Sequence, residues 1–327
     1  MPKLYVTELS RGADLVQWDE LIAHSPQGTI FQTSGWLNAC ARSLGKKVKI
    51  FGCFQDAQLV GGCSLFLERK YSVVPIAVST CEMTPYGGFV LSGSRGTGVH
   101  KQESFSLRII ESIIEEVKKE HFFSVSILNS PEFLDIRPFT LNGWRSSVFY
   151  TYYINLEDNL ETHADQLVKK NIRKAEKNRI SIESFSDISK YYSLLHETFA
   201  RKHLKPTAPK SLFTDLFSFI RYQNCGEMVV AKTPDNDIAC AEIVIWDNRL
   251  AYSWSAVSDL RFLNSGATSF LRFDDLKRMK ARGIPKMNMM MGNVPELSQF
   301  VAHLNPILVP YYEVQTRIFD DILRLKN

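Results

Sequence analysis

The two halves of this chain repeat one pattern, and that repeat limits the fold more than any single motif. Residues 48–67, VKIFGCFQDAQLVGGCSLFL, alternate about a turn at 55–57 as a β-hairpin. A polar, Gly-rich segment follows. Next come a helical stretch at 104–123, SFSLRIIESIIEEVKKEHFF, and a strand and turn at 124–133, SVSILNSPEF. The second half begins again with a hairpin at 228–246, MVVAKTPDNDIACAEIVIW, and a strand at 250–257. A helix at 267–283, ATSFLRFDDLKRMKARG, and a strand and turn at 286–297, KMNMMMGNVPEL, complete it. Ser104-Phe105 corresponds to Ser269-Phe270, and Pro131-Glu132 to Pro295-Glu296. The period is far too long for a solenoid and fits duplication of one α/β unit. Coincidence between two generic hairpin–helix–strand segments is the competing explanation. Tight turns demand antiparallel pairing, while a helix leading to a later strand demands parallel pairing. Each half is therefore expected to build a mixed sheet.

A length of 327 residues agrees with two domains at roughly 100–200 residues each. The boundary falls at 142–148, giving domains 1–146 and 147–327. With 45% hydrophobic and 12% aromatic residues, each half can build a core. A net charge of +4 permits a phosphate-bearing partner without demanding nucleic acid. The six cysteines, at 40, 53, 63, 81, 225 and 240, form no C-x-x-C pair and lie mostly in apolar runs. Buried free thiols in a reducing cytoplasm are expected. The N-terminus lacks a signal-peptide pattern, and no run of about 18 apolar residues occurs, so no membrane span is expected. No His, Cys and Asp cluster has metal-ligand spacing. The expected state is a cytoplasmic monomer or weak dimer.

Several local readings carry chemistry. Arg261-Phe-Leu-Asn-Ser-Gly-Ala267 joins a strand to a helix, where free N–H groups can hold an anion. Ser265, Gly266 and Ala267 let a ligand approach the backbone, and Arg261 adds a forked donor. An ordinary strand-to-helix turn is the plainer alternative. Glu242 lies inside an apolar strand, where burial would suit it to act as a base. Asp259 ends the next strand beside the loop, as a second base or as a cap. Tyr252 and Trp254 share one strand face and line either an acyl pocket or the core. Tyr311, on the last strand at 307–319, is placed to protonate a leaving group or to pack. His203 and His303 are further bases or surface histidines. The helix at 163–177 carries Lys169, Lys170, Arg173, Lys174 and Lys177, either a solvated face or a phosphate track without interleaved aromatics. Ser34 is the expected cap of a helix from Trp36, and 131–141 is expected to be a short helix.

The order of these features resembles the tandem GNAT-fold proteins of the Fem type, including the BioF2-like acetyltransferases. The resemblance rests on QTSGW at 32–36, NIRKA at 171–175 before ISIE at 180–183, and AEIVI at 241–245. YSWSAVSD at 252–259 runs into RFLNSG at 261–266, and NMMMG stands at 288–292. It implies an α/β (α+β) fold of two GNAT-like domains in tandem, each a mixed, mostly antiparallel sheet flanked by helices. It also implies N-acyl transfer from an acyl thioester such as acyl-CoA, or from aminoacyl-tRNA with tRNA as partner, to a small-molecule amine or cell-envelope precursor. No tightly bound cofactor is implied. The second half would hold the donor through Arg261, Asn264, Ser265, Gly266 and Ala267. Asn264 stands where the GNAT loop has its first glycine, and Val301 where Fem enzymes carry a lysine. For that chemistry Glu242, Asp259 and Tyr311 are the expected catalytic groups, Asp259 at a position the family shares, and Trp36, Tyr86, Arg173, Tyr252 and Trp254 the expected substrate contacts. The alternative is a non-catalytic ligand- or nucleic-acid-binding protein on a degenerate GNAT scaffold.

Overall fold

The computed structural model describes residues 3–10, 12–93, 98–200, 205–206 and 208–316. Most of the Gly-rich stretch 93–98, His203, and the end of the last expected strand at 317–319 lie outside the described residues. The chain divides into two compact units, Met1–Phe149 with Pro310–Asn327, and Tyr150–Val309.

In the first unit β1 (Leu4–Glu8) is followed by α1 (Gly12–His24) and α2 (Ser34–Leu44). The hairpin β2 (Lys47–Gln55) and β3 (Gln58–Lys70) comes next, turning at Asp56 with its φ of 55°. β1 pairs antiparallel with β2. The far half of β3 pairs antiparallel with β4 (Val74–Val78), and its near half with β5 (Gly88–Leu91). After α3 (Val99–Lys119), β6 (Ser124–Leu128) lies parallel to β4. Ile109, Ile110, Ile113, Ile114 and Val117 of α3 are buried in one cluster with Phe51, Cys63 and Leu65 of the sheet. Their helical spacing is the stripe visible at 104–123, and each such burial contributes roughly 1.5–3 kcal/mol. The Gly61-Gly62 pair on β3 explains how helices press on both sheet faces. A Cβ on Gly61 would lie 2.5 Å from Ile109 of α3, and one on Gly62 2.5 Å from Trp18 of α1. Helix α2 is capped by Thr33, whose hydroxyl accepts from the Trp36 N–H, one residue before the expected cap. Within 131–141 only one turn is helical, α4 (Arg137–Thr140), because 130–133 closes as a separate turn.

The second unit begins within β7 (Arg145–Asn155). It continues through α5 (Leu160–His163), α6 (Gln166–Lys177), β8 (Ser181–Phe185), α7 (Ile188–Ala200) and α8 (Lys210–Tyr222). Next come β9 (Gly226–Lys232), β10 (Ile238–Trp246), β11 (Ala251–Ser258), α9 (Ala267–Ala281), β12 (Lys286–Asn288) and α10 (Pro295–Ala302). Its strand order is β7-β12-β11-β10-β9-β8, with only β11–β12 parallel. β13 (Ile307–Gln315) returns the chain to the first unit, where Glu313, Val314 and Gln315 pair antiparallel with β6. Each unit is thus a mixed, mostly antiparallel sheet with helices packed on it.

All six cysteines are free thiols; Cys40, Cys53, Cys63 and Cys240 are buried. Among the described residues no helix is long and apolar enough to cross a membrane.

Candidate functional site

The sheet of the second unit opens between its two parallel strands. The β11–β12 ladder holds only Ala251 against Met287 and Tyr252 against Asn288. β12 stops there because the Asn288 side chain accepts from Thr151 Oγ1 at 2.6 Å and from the Met290 N–H at 2.9 Å. Met290 then turns the chain at a φ of 63°. β11 continues for six more residues, Ser253 to Ser258, beyond the end of that ladder. A bulge lies where the strands part. Ile243 pairs with Ser255 and Val244 with Ser253, so Trp254 is the extra residue of the bulge. The extra residue re-aims the strand. Before it, Ser253 meets Arg272 of α9; after it, Ser255 accepts a hydrogen bond from Tyr191 of α7 at 2.7 Å. Tyr252 and Trp254 are both buried, and Trp254 packs on Phe213 of α8 at 5.8 Å between ring centroids.

The loop after β11 is a 3₁₀ turn, Leu260–Ser265, rather than an open polar loop. Asp259 caps it, accepting from the Arg261 N–H at 2.9 Å. The other Asp259 oxygen accepts from Arg261 Nε at 3.0 Å and Nη2 at 2.8 Å. Asp259 is buried while the Arg261 side chain is 62% exposed, so an accessible guanidinium is held by a fixed carboxylate. The occupied oxygens of Asp259 make it a cap and a positioning group for Arg261 rather than a base. Asn264 is exposed, and Ser265 Oγ accepts from the Ala267 N–H at 3.1 Å. Gly266 has a φ of 88°, and a Cβ there would lie 2.1 Å from the Asn171 carbonyl oxygen of α6. The close approach these small residues permit is therefore taken up by a helix. Arg173, on the outer face of α6, is exposed.

Glu242 is buried, but it neither faces solvent nor stands alone. Arg272 Nη1 donates to Glu242 and to Ser253, and all three side chains are closed from water. Asp275, one turn along α9, accepts from Arg278 Nη2 through Oδ1. Burial holds the Asp275 carboxyl well above the ordinary range, and the Glu242 charge and a hydrogen bond to Glu242 add to the shift. As an acceptor Asp275 Oδ2 finds no partner. A protonated Asp275 would be the donor in its hydrogen bond to Glu242. Glu242 thus belongs to a closed charge network, which removes it from the position of a base that exchanges protons with a bound amine. Sequence reasoning missed Arg272 and Asp275, since two charges within a charged helix give no sign that they face inward.

His303 is not isolated in the fold. Its Nδ1 lies 2.6 Å from Asp165 Oδ2, and its side chain remains 41% exposed. Asp165 also caps α6 by accepting from the Val168 N–H at 2.9 Å. That bond, with His303 beside it, holds the carboxyl below its usual range.

The first-unit candidates are packed away. Trp36 is fully buried, edge-on to Phe31 at 5.1 Å, with its Nε1–H donating to Thr84 Oγ1 at 2.9 Å. Tyr86 is buried edge-on to Tyr311 at 5.2 Å, and Tyr311 stacks on Phe149 at 5.6 Å. Burial leaves Trp36 and Tyr86 no face for a substrate, and Tyr311 is part of the same aromatic cluster. These three are core residues.

The architecture is that of the GNAT fold. Residues 164–296 match the model of the acetyltransferase (GNAT) domain family. Over its whole length the chain has the tandem GNAT fold. It superimposes on the crystal structure of FemX with a TM-score of 0.74 at 10% identity, covering 98% of this chain and 99% of that one. A tandem GNAT protein from the clavulanic acid biosynthesis pathway gives 0.57 at 11% identity, covering 96% and 98%. The C-terminal domain of a putative lysylphosphatidylglycerol synthetase from Agrobacterium fabrum gives 0.59 at 12% identity, covering 97% and 96%. Likeness at these identities concerns fold. Comparison with curated protein sequences gives no match.

Proposed function

We propose that this protein is an N-acyltransferase that moves an acyl group from a thioester such as acyl-CoA to an amine on a small molecule or cell-envelope precursor. The observation that carries this reading is the parting of β11 from β12 at a bulge, on a strand that runs on to an exposed Arg261 held by Asp259. An extended donor arm bearing amides can pair with a strand edge, and a guanidinium in fixed orientation suits its phosphates. The acceptor ammonium first gives up a proton. The free amine then attacks the thioester carbonyl, and the tetrahedral oxyanion collapses with loss of the thiolate, which takes up the second proton released from the amine nitrogen. His303, held by Asp165, is the proton acceptor in this reading. Asp165 and Asn171 are six residues apart on α6, about 9 Å by helix rise, and a donor arm spans that length.

The test is thiol release from acetyl-CoA and longer acyl-CoAs in the presence of a panel of amines, with products read by mass spectrometry. Amine-dependent release is expected, and His303→Gln should lower it about 100-fold. Transfer from charged tRNA with none from any acyl-CoA would replace the donor class. Transfer from neither would leave a binding protein on the same scaffold.

A further inference from the structure

Helix α6 and the 3₁₀ turn at Leu260–Ser265 make one surface, of which the acyl-transfer reading uses Arg261 but neither the lysines nor the leucines. Lys170, Arg173, Lys174 and Lys177 are exposed on α6, and among the described residues none of them has an acidic partner. Leu167 begins the same stripe, since 167, 170, 174 and 177 follow helical spacing, and its side chain is 45% exposed. The turn packs along the neighbouring edge of this stripe. Asn178 Nδ2 donates to the Ser265 carbonyl at 3.1 Å, and Gly266 abuts the backbone at Asn171 and Ala175. From that turn Leu260 and Leu263 stand 51% and 53% exposed. The exposed acidic residue of the helix, Glu176, lies on the flank away from the turn.

We infer that this face, with Leu260, Leu263 and Leu167 beside the lysines of α6, docks on an anionic lipid surface. Aliphatic side chains flanked by cations are the composition of a segment that lies in the membrane interface: leucines enter the acyl boundary while lysines meet phosphate headgroups. RNA would use the cations but has no partner for exposed leucines, and the face carries no interleaved aromatics on which bases could stack.

The test is co-sedimentation of the full chain with vesicles of equal parts phosphatidylglycerol and phosphatidylcholine, against pure phosphatidylcholine. Binding to the anionic vesicles only, weakened by salt, is expected. Lys170→Gln with Lys174→Gln should lower partitioning on the order of tenfold. Leu260→Ser with Leu263→Ser should lower it comparably at unchanged net charge. These positions are at the surface, and unchanged thermal melts confirm folding of both variants. Absence of binding to anionic vesicles overturns the inference. So does binding that the leucine variant retains in full while the lysine variant loses both it and the affinity for a duplex RNA, which would identify a polyanion track instead.

Discussion

The carbonyl oxygen of Asn171 occupies the space beside Gly266, 2.1 Å from where a Cβ would be. Gly266 also sits at a φ of 88°, in the left-handed region where other residues are strained. Gly266→Ala therefore meets two penalties, a backbone strain of about 1–3 kcal/mol and a collision with α6. The variant should unfold at clearly lower urea concentration than the parent. An unchanged midpoint would mean that α6 does not pack against the start of α9.

Arg272 and Glu242 form a buried ion pair that shares Ser253. Removing one partner leaves the other charge buried without compensation, at a cost of about 3–5 kcal/mol. Arg272→Met should lower stability by about that amount, whereas Arg272→Met with Glu242→Leu should recover much of the loss. A double-mutant cycle in urea measures the difference. Simple addition of the two single losses would show that the pair is not a unit.

The raised carboxyl of Asp275 makes stability depend on pH in a definite sense. Burial comes first among its causes, and the Glu242 charge adds to it. A group raised above its ordinary value, here 3.8, contributes stability that is fully present below that value and is lost as pH rises through the folded value. Asp275→Asn keeps a donor toward Glu242 but cannot ionise. As pH rises from about 4, the parent should lose stability relative to the variant. A constant difference at every pH would place Asp275 in the ordinary carboxylate range.

The chain's architecture was largely legible because hairpin alternation and helical stripes are local signals. The stripe Ile109, Ile110, Ile113, Ile114 and Val117 is the clearest case. Strand 307–315 was legible as a strand, but alternation does not name a partner, and its pairing with β6 depends on tertiary packing. The candidate site was less legible for the same reason. Trp36, Tyr86 and Tyr311 look alike whether they line a pocket or fill a core, and here they fill one. Gly266 signalled a close approach without saying that a helix makes it. Asp259 and Arg261, two residues apart at a strand end, were recognisable individually. Their ion pair requires the 3₁₀ turn that folds one back on the other.

The central claim is that the second unit binds an acyl thioester with Arg261 on its phosphates. Thermal shift with acetyl-CoA, longer acyl-CoAs and free CoA tests it most directly, in the parent and in Arg261→Ala. At about a hundredfold excess over Kd, one bound ligand stabilises the native state by about 2.7 kcal/mol. The expected result is an upward shift of several degrees in the parent and a much smaller one in Arg261→Ala, each measured against its own unliganded melt. No shift with any of these ligands, or equal shifts in both proteins, would contradict the account.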